Sequence, residues 1–307
     1  MSRCYTLAQR EEAALNPFKD LKTSIRRRFE FIEFCLNWSG HVGRPQLQNQ
    51  FGISPQQATN DLTNYLDGCP GNMQYDPRER AYVTSPGFKP KLISGEASEY
   101  FMHLEMFSRG FRTKEEIWIK ELPEVSTVSV SSRPLDKRIV RTVVQAITTN
   151  SALHCVYASI SSGIDSERTL VPTALVSDGH RWHVRAYDCE KKRFRDFVLT
   201  RMATPKVLAK PDQAIPPDDD WDEEITVKLS AATTLNEWRR KQLEHEYEME
   251  SGTLEVPTTK AMLFYVLRQY GFNPYDRDND GMMRNVSSFQ LEVLNSKEVE
   301  ECLRRRS

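Results

Sequence analysis

Along residues 21–36 the apolar positions Leu21, Ile25, Phe29, Ile32 and Leu36 recur in steps of four, four, three and four, one stripe of a helix. Arg26, Arg27 and Arg28 lie largely off that stripe. After the break "SGHVG" comes "RPQLQNQFGISPQQATNDLTNYL", which predicts a short helix opened by Pro45, a tight "GIS" turn, and a second helix. Ser54 is placed to cap that second helix, with Pro55 as its first residue. Ala58, Leu62, Tyr65 and Leu66 then fall on its inward face and leave Gln56, Gln57, Thr59, Asn60 and Thr63 outward. The next stretch, "MQYDPRERAYVTS", predicts two short strands around "DPRER".

A short helix, a turn, a second helix and a two-stranded wing make the pattern of a winged helix-turn-helix. The side chains suit that pattern. Glutamine and asparagine can pair two hydrogen bonds with an adenine edge, and threonine can touch a thymine methyl group. The presumed recognition helix has no Lys or Arg, so phosphate attraction is expected from Arg44, Arg78 and Arg80, joined by the cluster at 26–28. Residues 1–90 hold 11 basic and 9 acidic side chains, too small an excess for firm binding by a monomer. The expectation is a homodimer on a double-stranded inverted repeat, with recognition helices about 34 Å apart. A helical hairpin used for protein contacts is the alternative reading.

Further on, "VSSRPLDKRIVRTVVQAITTN" leads through a proline-marked linker into a helix with Ile139, Val143, Val144 and Ile147 inward. The runs "LHCVYASIS", "RTLVPTALVS", "RWHVRAYD" and "RFRDFVLTRM" follow, divided by turn signals, and predict an antiparallel meander curling into a small barrel. On a two-residue period "HRWHVRAYD" sets Trp182, Val184 and Ala186 on one face and His183, Arg185 and Tyr187 on the other. Tyr157 and Ser159 share a face of the first run, and Arg195 and Arg201 come from the last. Hydroxyls, an imidazole and guanidiniums together form an anion receptor.

Charge sharpens this picture. The net charge is only -1, but residues 131–210 hold 14 Lys/Arg against 7 Asp/Glu, and residues 211–255 hold 4 against 13. Neutralising the cations of the middle segment internally needs acids that it lacks, which favours an anionic effector: a nucleotide, an oligonucleotide end or a phosphorylated metabolite. The competing reading keeps Arg195 in a local pair with Asp196 or Asp188 and His183 as a structural side chain.

The order of winged helix, linker "SSRPLD", "Y-A-S", "W-H-V-R-A-Y" and "F-R-D-F-V-L-T-R-M" resembles the WYL-domain transcriptional regulators, most of all the repressors beside bacterial anti-phage systems of the BREX and CBASS types. The likeness spans nearly the whole chain and is most specific in residues 131–202. Trp182 stands at the position of the family's eponymous tryptophan, His183 at that of the tyrosine and Val184 at that of the leucine. Histidine is usual in the defence-associated branch. The resemblance implies a central Sm-like barrel, a homodimer, a pocket ligand that controls DNA affinity, and a C-terminal extension that helps dimers form. It implicates Tyr157, Ser159, Arg185, Arg195 and Arg201 in that pocket.

Beyond the acidic linker "IPPDDDWDEE", a strand "ITVKLS", a helix entered through "TLNE" with Thr234 and Glu237 as a capping box, a strand "TLEVP", a helix "TKAMLFYVLRQY", a strand "SFQLEVL" and a basic-tailed helix predict an α+β domain. "DRDNDGMM" copies calcium-loop positions one, three, five and six with Asp276, Asp278, Asp280 and Gly281, but Ser287 replaces the bidentate glutamate, so a surface turn is expected and no metal or cofactor. The six cysteines are scattered, no apolar run approaches the about 18–20 residues of a membrane span, and the first residues show no signal-peptide core. A cytoplasmic protein without a membrane partner is expected.

The fold expected is therefore α+β and multidomain: a winged helix-turn-helix at 1–95, a helical connector at 96–130, a WYL β-barrel at 131–212 and an α+β dimerisation domain at 213–307. The function expected is ligand-responsive repression of a phage-defence operon, without catalysis. The alternatives are an enzyme acting on nucleic acid or nucleotides through His183, which lacks an evident acidic orienter, and a non-catalytic scaffold that binds protein.

Overall fold

The computed structural model describes residues 17–119, 122–127, 135–160, 163–210, 214–277, 283–285 and 290–304. They fall in two compact units, Met1–Ser129 and Val130–Ser307. No helix among the described residues is long and apolar enough to cross a membrane.

The first unit is built on α1 (Thr23–Ser39), which ends at the left-handed Gly40 (φ 74°). Of the expected stripe Phe29, Ile32 and Leu36 are buried and Leu21 and Ile25 half-buried, but Phe31, Glu33, Phe34 and Cys35 are buried as well. The reason is packing on two sides. One side meets the helix-turn-helix core around Leu47, Ala58, Leu62 and Tyr65, while Phe34 joins Leu104, Ile117 and Ile119 from the connector. A short β1 (His41–Val42) leads to α2 (Arg44–Phe51), and Gly52 at φ 62° lets the chain turn sharply into α3 (Pro55–Gly68). The wing pairs β2 (Met73–Asp76) with β3 (Ala81–Thr84), and β1 completes an antiparallel sheet of order β1-β3-β2. The connector contributes α4 (Ala97–Ser108) and α5 (Lys114–Ile117).

Buried Glu33 ties this unit together. It accepts the Tyr65 hydroxyl at 3.0 Å and the backbone N–H groups of Lys91, Leu92 and Ile93 at 2.8–3.1 Å. Burial pushes its carboxyl above the usual range, and those N–H donors oppose the shift. The segment after the wing is thereby pinned to α1.

The second unit opens with α6 (Lys137–Thr148), capped by Asp136. Val143 and Ala146 are its buried residues, with Ile139 and Ile147 packed beside them; Val144, expected inside, is exposed. Then come β4 (Leu153–Ser159), β5 (Ile164–Ser177), β6 (Trp182–Asp188), β7 (Arg193–Val198), a 3-10 turn at Leu199–Arg201 and β8 (Met202–Val207). The antiparallel order is β7-β6-β5-β4-β8, so the last strand returns beside the first. Tyr157 on β4 accepts the N–H of Val198 from β7 at 3.1 Å, bridging first strand and far edge as a closing barrel requires. The fifth strand was not expected, because its opening residues read as the tail of the fourth run. Pro172 sits in the middle strand β5, where it can donate no ladder hydrogen bond, and the pairing with β6 shifts between Pro172 and Ala174 to accommodate it.

The rest of this unit contains α7 (Asp219–Asp222), β9 (Glu224–Ala231), α8 (Glu237–Glu246), β10 (Leu254–Thr259), α9 (Leu263–Gln269), β11 (Phe272–Arg277), β12 (Met283–Asn285), β13 (Leu291–Val293) and α10 (Ser296–Arg304). A sheet of order β10-β9-β13 carries Val227, Leu229 and Leu291 against Leu263, Leu267 and Val299 of the helices. The expected strands and helices recur here with one correction and two additions, of which α7, a single turn within the expected linker, is the first. The cap of α8 is Asn236, which accepts from the N–H of Arg239, rather than Thr234. The hairpin β11-β12 is the second addition. Asp276 lies on its first strand; positions 278, 280, 281 and 287 lie outside the described residues.

Candidate nucleic-acid interface and ligand cleft

Ser54 accepts the N–H of Gln57 at 3.2 Å and so starts α3 where its sequence indicates. Burial of Ala58, Leu62 and Tyr65 turns Gln56, Asn60 and Thr63 out to solvent on one face. Gln56 donates to Asn60 at 3.0 Å, a bond between exposed groups that water or a base edge can replace. Gln57 and Thr59 flank this face with their polar atoms engaged: Gln57 donates to Asp61 at 2.9 Å, and Thr59 to the carbonyl of Pro55 at 3.0 Å. Arg44 at the start of α2 and Arg78 and Arg80 in the wing turn are exposed.

The basic cluster at 26–28 divides. Arg28 forks onto buried Asp61 at 2.6 and 3.1 Å, and Arg26 pairs with Glu30 at 3.0 Å. Arg28 thus locks α1 to the inner face of α3. A signal was present in the sequence: Asp61 falls beside Leu62 and Tyr65 on an otherwise apolar stripe, and a buried carboxylate demands a cation.

In the second unit, register sorts the expected ligand set. Val184 and Ala186 join Leu153, Cys155, Tyr157 and Phe197 in the barrel core. Arg195 lies opposite Ala186, and Ser159 lies two residues beyond Tyr157. His183, Arg185 and Tyr187 occupy the other face of β6, opposite Val198, Asp196 and Phe194. Tyr157, Ser159 and Arg195 therefore share one face of the sheet and His183 and Arg185 the other. Arg201 sits half-buried in the 3-10 turn. Both faces of β6 are covered, and only Trp182, 53% exposed, reaches solvent.

Arg185 is 2% exposed and held by carboxylates. Its Nε and Nη2 donate to Asp218 at 2.8 and 2.7 Å, and its Nη1 to Asp196 at 3.2 Å; Asp220 stands 3.9 Å away. Tyr265 on α9 donates to the second oxygen of Asp196 at 2.9 Å, and Phe194 lies under the guanidinium at 5.8 Å. Burial works against the charge of Arg185, but Asp218 and Asp196 outweigh it and raise its pKa. The expectation that acids were lacking is thereby corrected. Asp196 lies within the segment on β7, whereas Asp218 and Asp220 come from the acidic linker beyond it, so the two opposite charge balances meet at this residue.

His183 has an acidic neighbour after all: its Nε2 is 3.8 Å from Asp178, and its ring lies 5.3 Å from that of Tyr265. Burial lowers the imidazole pKa, with Asp178 opposing. Burial also works against the charge of Asp178, but the N–H groups of His180 and Arg181, with His183 and Arg181 beside it, hold its carboxyl below the usual range. Beside the Arg185 cluster opens a cleft of about 470 Å³ whose lining includes Lys192, Arg193, Arg195, Asp219, Tyr265 and Tyr275. Arg195 is exposed and forms no ion pair among the described residues. No group of three metal-ligating side chains comes together among those residues.

Comparison with known proteins agrees with this architecture. Residues 24–106 match the family model of the BrxR transcriptional regulator winged helix-turn-helix domain, residues 138–207 that of the WYL domain, and residues 224–299 that of the BrxR transcriptional regulator C-terminal dimerization domain. The chain is 32% identical over 277 residues to the DNA-binding transcriptional repressor CapW of Pseudomonas aeruginosa, covering 90% of this chain and 91% of that one. It is 35% identical over 244 residues to CapW of Stenotrophomonas maltophilia, covering 79% and 81%. CapW of Escherichia coli is 32% identical over 243 residues, with the same coverage. With all three domains matched in order and relatives similar over most of its length, the chain belongs to the BrxR and CapW family of WYL-domain transcriptional regulators.

Proposed function

We propose that this protein is a homodimeric DNA-binding repressor of a phage-defence operon, binding an inverted-repeat operator and released or retained by an anionic effector. In this reading residues 1–95 read DNA, 96–130 connect, 131–212 sense the effector and 213–307 pair the protomers. The observation that carries it is the Ser54-capped helix with Gln56, Asn60 and Thr63 on its solvent face, next to a wing turn carrying exposed Arg78 and Arg80. The amides read base edges, and Arg44, Arg78 and Arg80 grip phosphates. The names of the relatives support repression and DNA binding.

Of the expected set Tyr157, Ser159, His183, Arg185, Arg195 and Arg201, the effector contact in this reading is Arg195, in the cleft beside the Arg185 cluster, because Tyr157 is packed in the barrel core and Arg185 is held by carboxylates. Arg195 meets an anion without competition, whereas at Arg185 an anion competes with Asp218. Such an effector shifts DNA affinity only through unequal affinity for the two states of the dimer.

The test is a footprint on the DNA upstream of the protein's own operon. Replacing Gln56 and Asn60 by alanine should cost about 1–3 kcal/mol per lost base contact and erase sequence preference, leaving weak, salt-sensitive binding. An unchanged footprint assigns recognition to another surface.

A further inference from the structure

Among the described helices of its domain only α8 and the four-residue α7 bury no residue. Trp238 in the first turn of α8 is 70% exposed. A helix whose apolar residues are an exposed tryptophan and a half-buried Leu243 lacks the broad apolar face that normally holds a helix to its domain. Glu237 in its first turn and His245 in its last suit its dipole, but its arginines and later glutamates run against it. Arg239 and Arg240 lie at the N-terminal end, where the macrodipole disfavours cations, and Glu244 and Glu246 at the C-terminal end, where it disfavours anions. Lys241 pairs with Glu237 at 2.8 Å, whereas Arg239, Arg240, Glu246 and Glu248 form no ion pair among the described residues. Past its middle, Glu244, His245, Glu246, Glu248 and Met249 line a shallow acidic cleft.

We infer that α8 is the pairing element of the dimer: two copies lie antiparallel, and each seats Trp238 and Arg239 in the acidic cleft of the other. The inference rests on the homodimer of the preceding section and locates its contact. Seven residues, about 10 Å or two turns, separate Arg239 from Glu246, so both point the same way. An antiparallel second copy therefore sets each Arg239 against the partner's Glu246, the self-complementary contact that a two-fold axis requires. Pairing also places acid beside each N-terminus and base beside each C-terminus, reversing the unfavourable dipole terms. Tryptophan flanked by arginine is a frequent anchor of protein interfaces. The helix lies within residues 224–299, the segment matched to the dimerization domain. Duplex DNA is a poorer occupant, since Glu244, Glu246, Glu248 and Glu250 would repel its phosphates along the same short stretch.

Sedimentation of the full-length chain over a range of concentrations tests this. Trp238→Ala, R239E/R240E and E246R/E248R should each weaken dimerisation about tenfold or more. An equimolar mixture of the two charge-reversed chains should form heterodimers in preference to either homodimer, and the chain with all four reversals should regain the wild-type dissociation constant. That recovery also certifies that the substituted helix folds. A wild-type dimer unmoved by every reversal overturns α8 as the contact and leaves the dimer standing. A wild-type chain that is monomeric throughout overturns both. Loss of DNA binding in R239E/R240E with unchanged dimerisation also overturns it, assigning the basic end to DNA.

Discussion

Arg185 shows how far one residue's role depends on groups distant in sequence. Alone in "WHVRAYD" it reads as a free cation; in the fold it is the hub of an ion cluster with Asp196 and Asp218, both nearly buried themselves. Removing one member of a buried ionic set strands the others without compensation. Arg185→Ala is therefore expected to destabilise the second unit by about 3 kcal/mol, read as a lower urea midpoint with unchanged slope. Loss of effector response at full stability would instead make it a ligand contact. Arg28 and Asp61 repeat the logic in the first unit. In both cases the sequence displays a misplaced charge, an acid on an apolar face or a base on a buried strand, and conceals its partner, because 33 residues separate each pair.

Elements fixed by local chemistry were legible, and those fixed by distant pairing were less so. The turn between α2 and α3 needs a left-handed Gly52 and a serine cap, both written within three residues, and α3 begins where they indicate. Ser54→Ala should cost the first unit about 1 kcal/mol, measurable as a lower thermal midpoint, and should weaken operator binding because the same cap orients Gln56. Outside the helix-turn-helix, local chemistry misled in small ways. Asn236 rather than Thr234 caps α8, since either side chain satisfies the same pattern. The strand β8 and the hairpin β11-β12 escaped notice because their pairing partners, not their own alternation, make them strands. The expected ligand set was chosen by residue type, and its division between two faces follows from the β6-β7 register, which composition does not display.

At the scale of the whole molecule, a net charge of -1 has to coexist with DNA binding. On the proposed reading the recognition helix supplies no cation, so the phosphate grip falls on few groups, Arg44, Arg78 and Arg80, and the number of protomers decides how many such groups a complex holds. Salt dependence counts them, because each neutralised phosphate contributes about 0.9 to the slope of log affinity against log salt. Replacing Arg78 and Arg80 by alanine removes two cations from a bound monomer and four from a bound dimer. The slope should flatten by about 3–4 on the proposed inverted repeat, and by about 2 if one protomer binds alone. Sequence preference should survive in either case, because Gln56, Asn60 and Thr63 are untouched and phosphate contacts carry no base information. Titrations at several salt concentrations, with operator and scrambled duplex side by side, separate the two: a flattening near 2 removes the dimer from the operator complex, and a lost preference makes the wing a reader of bases.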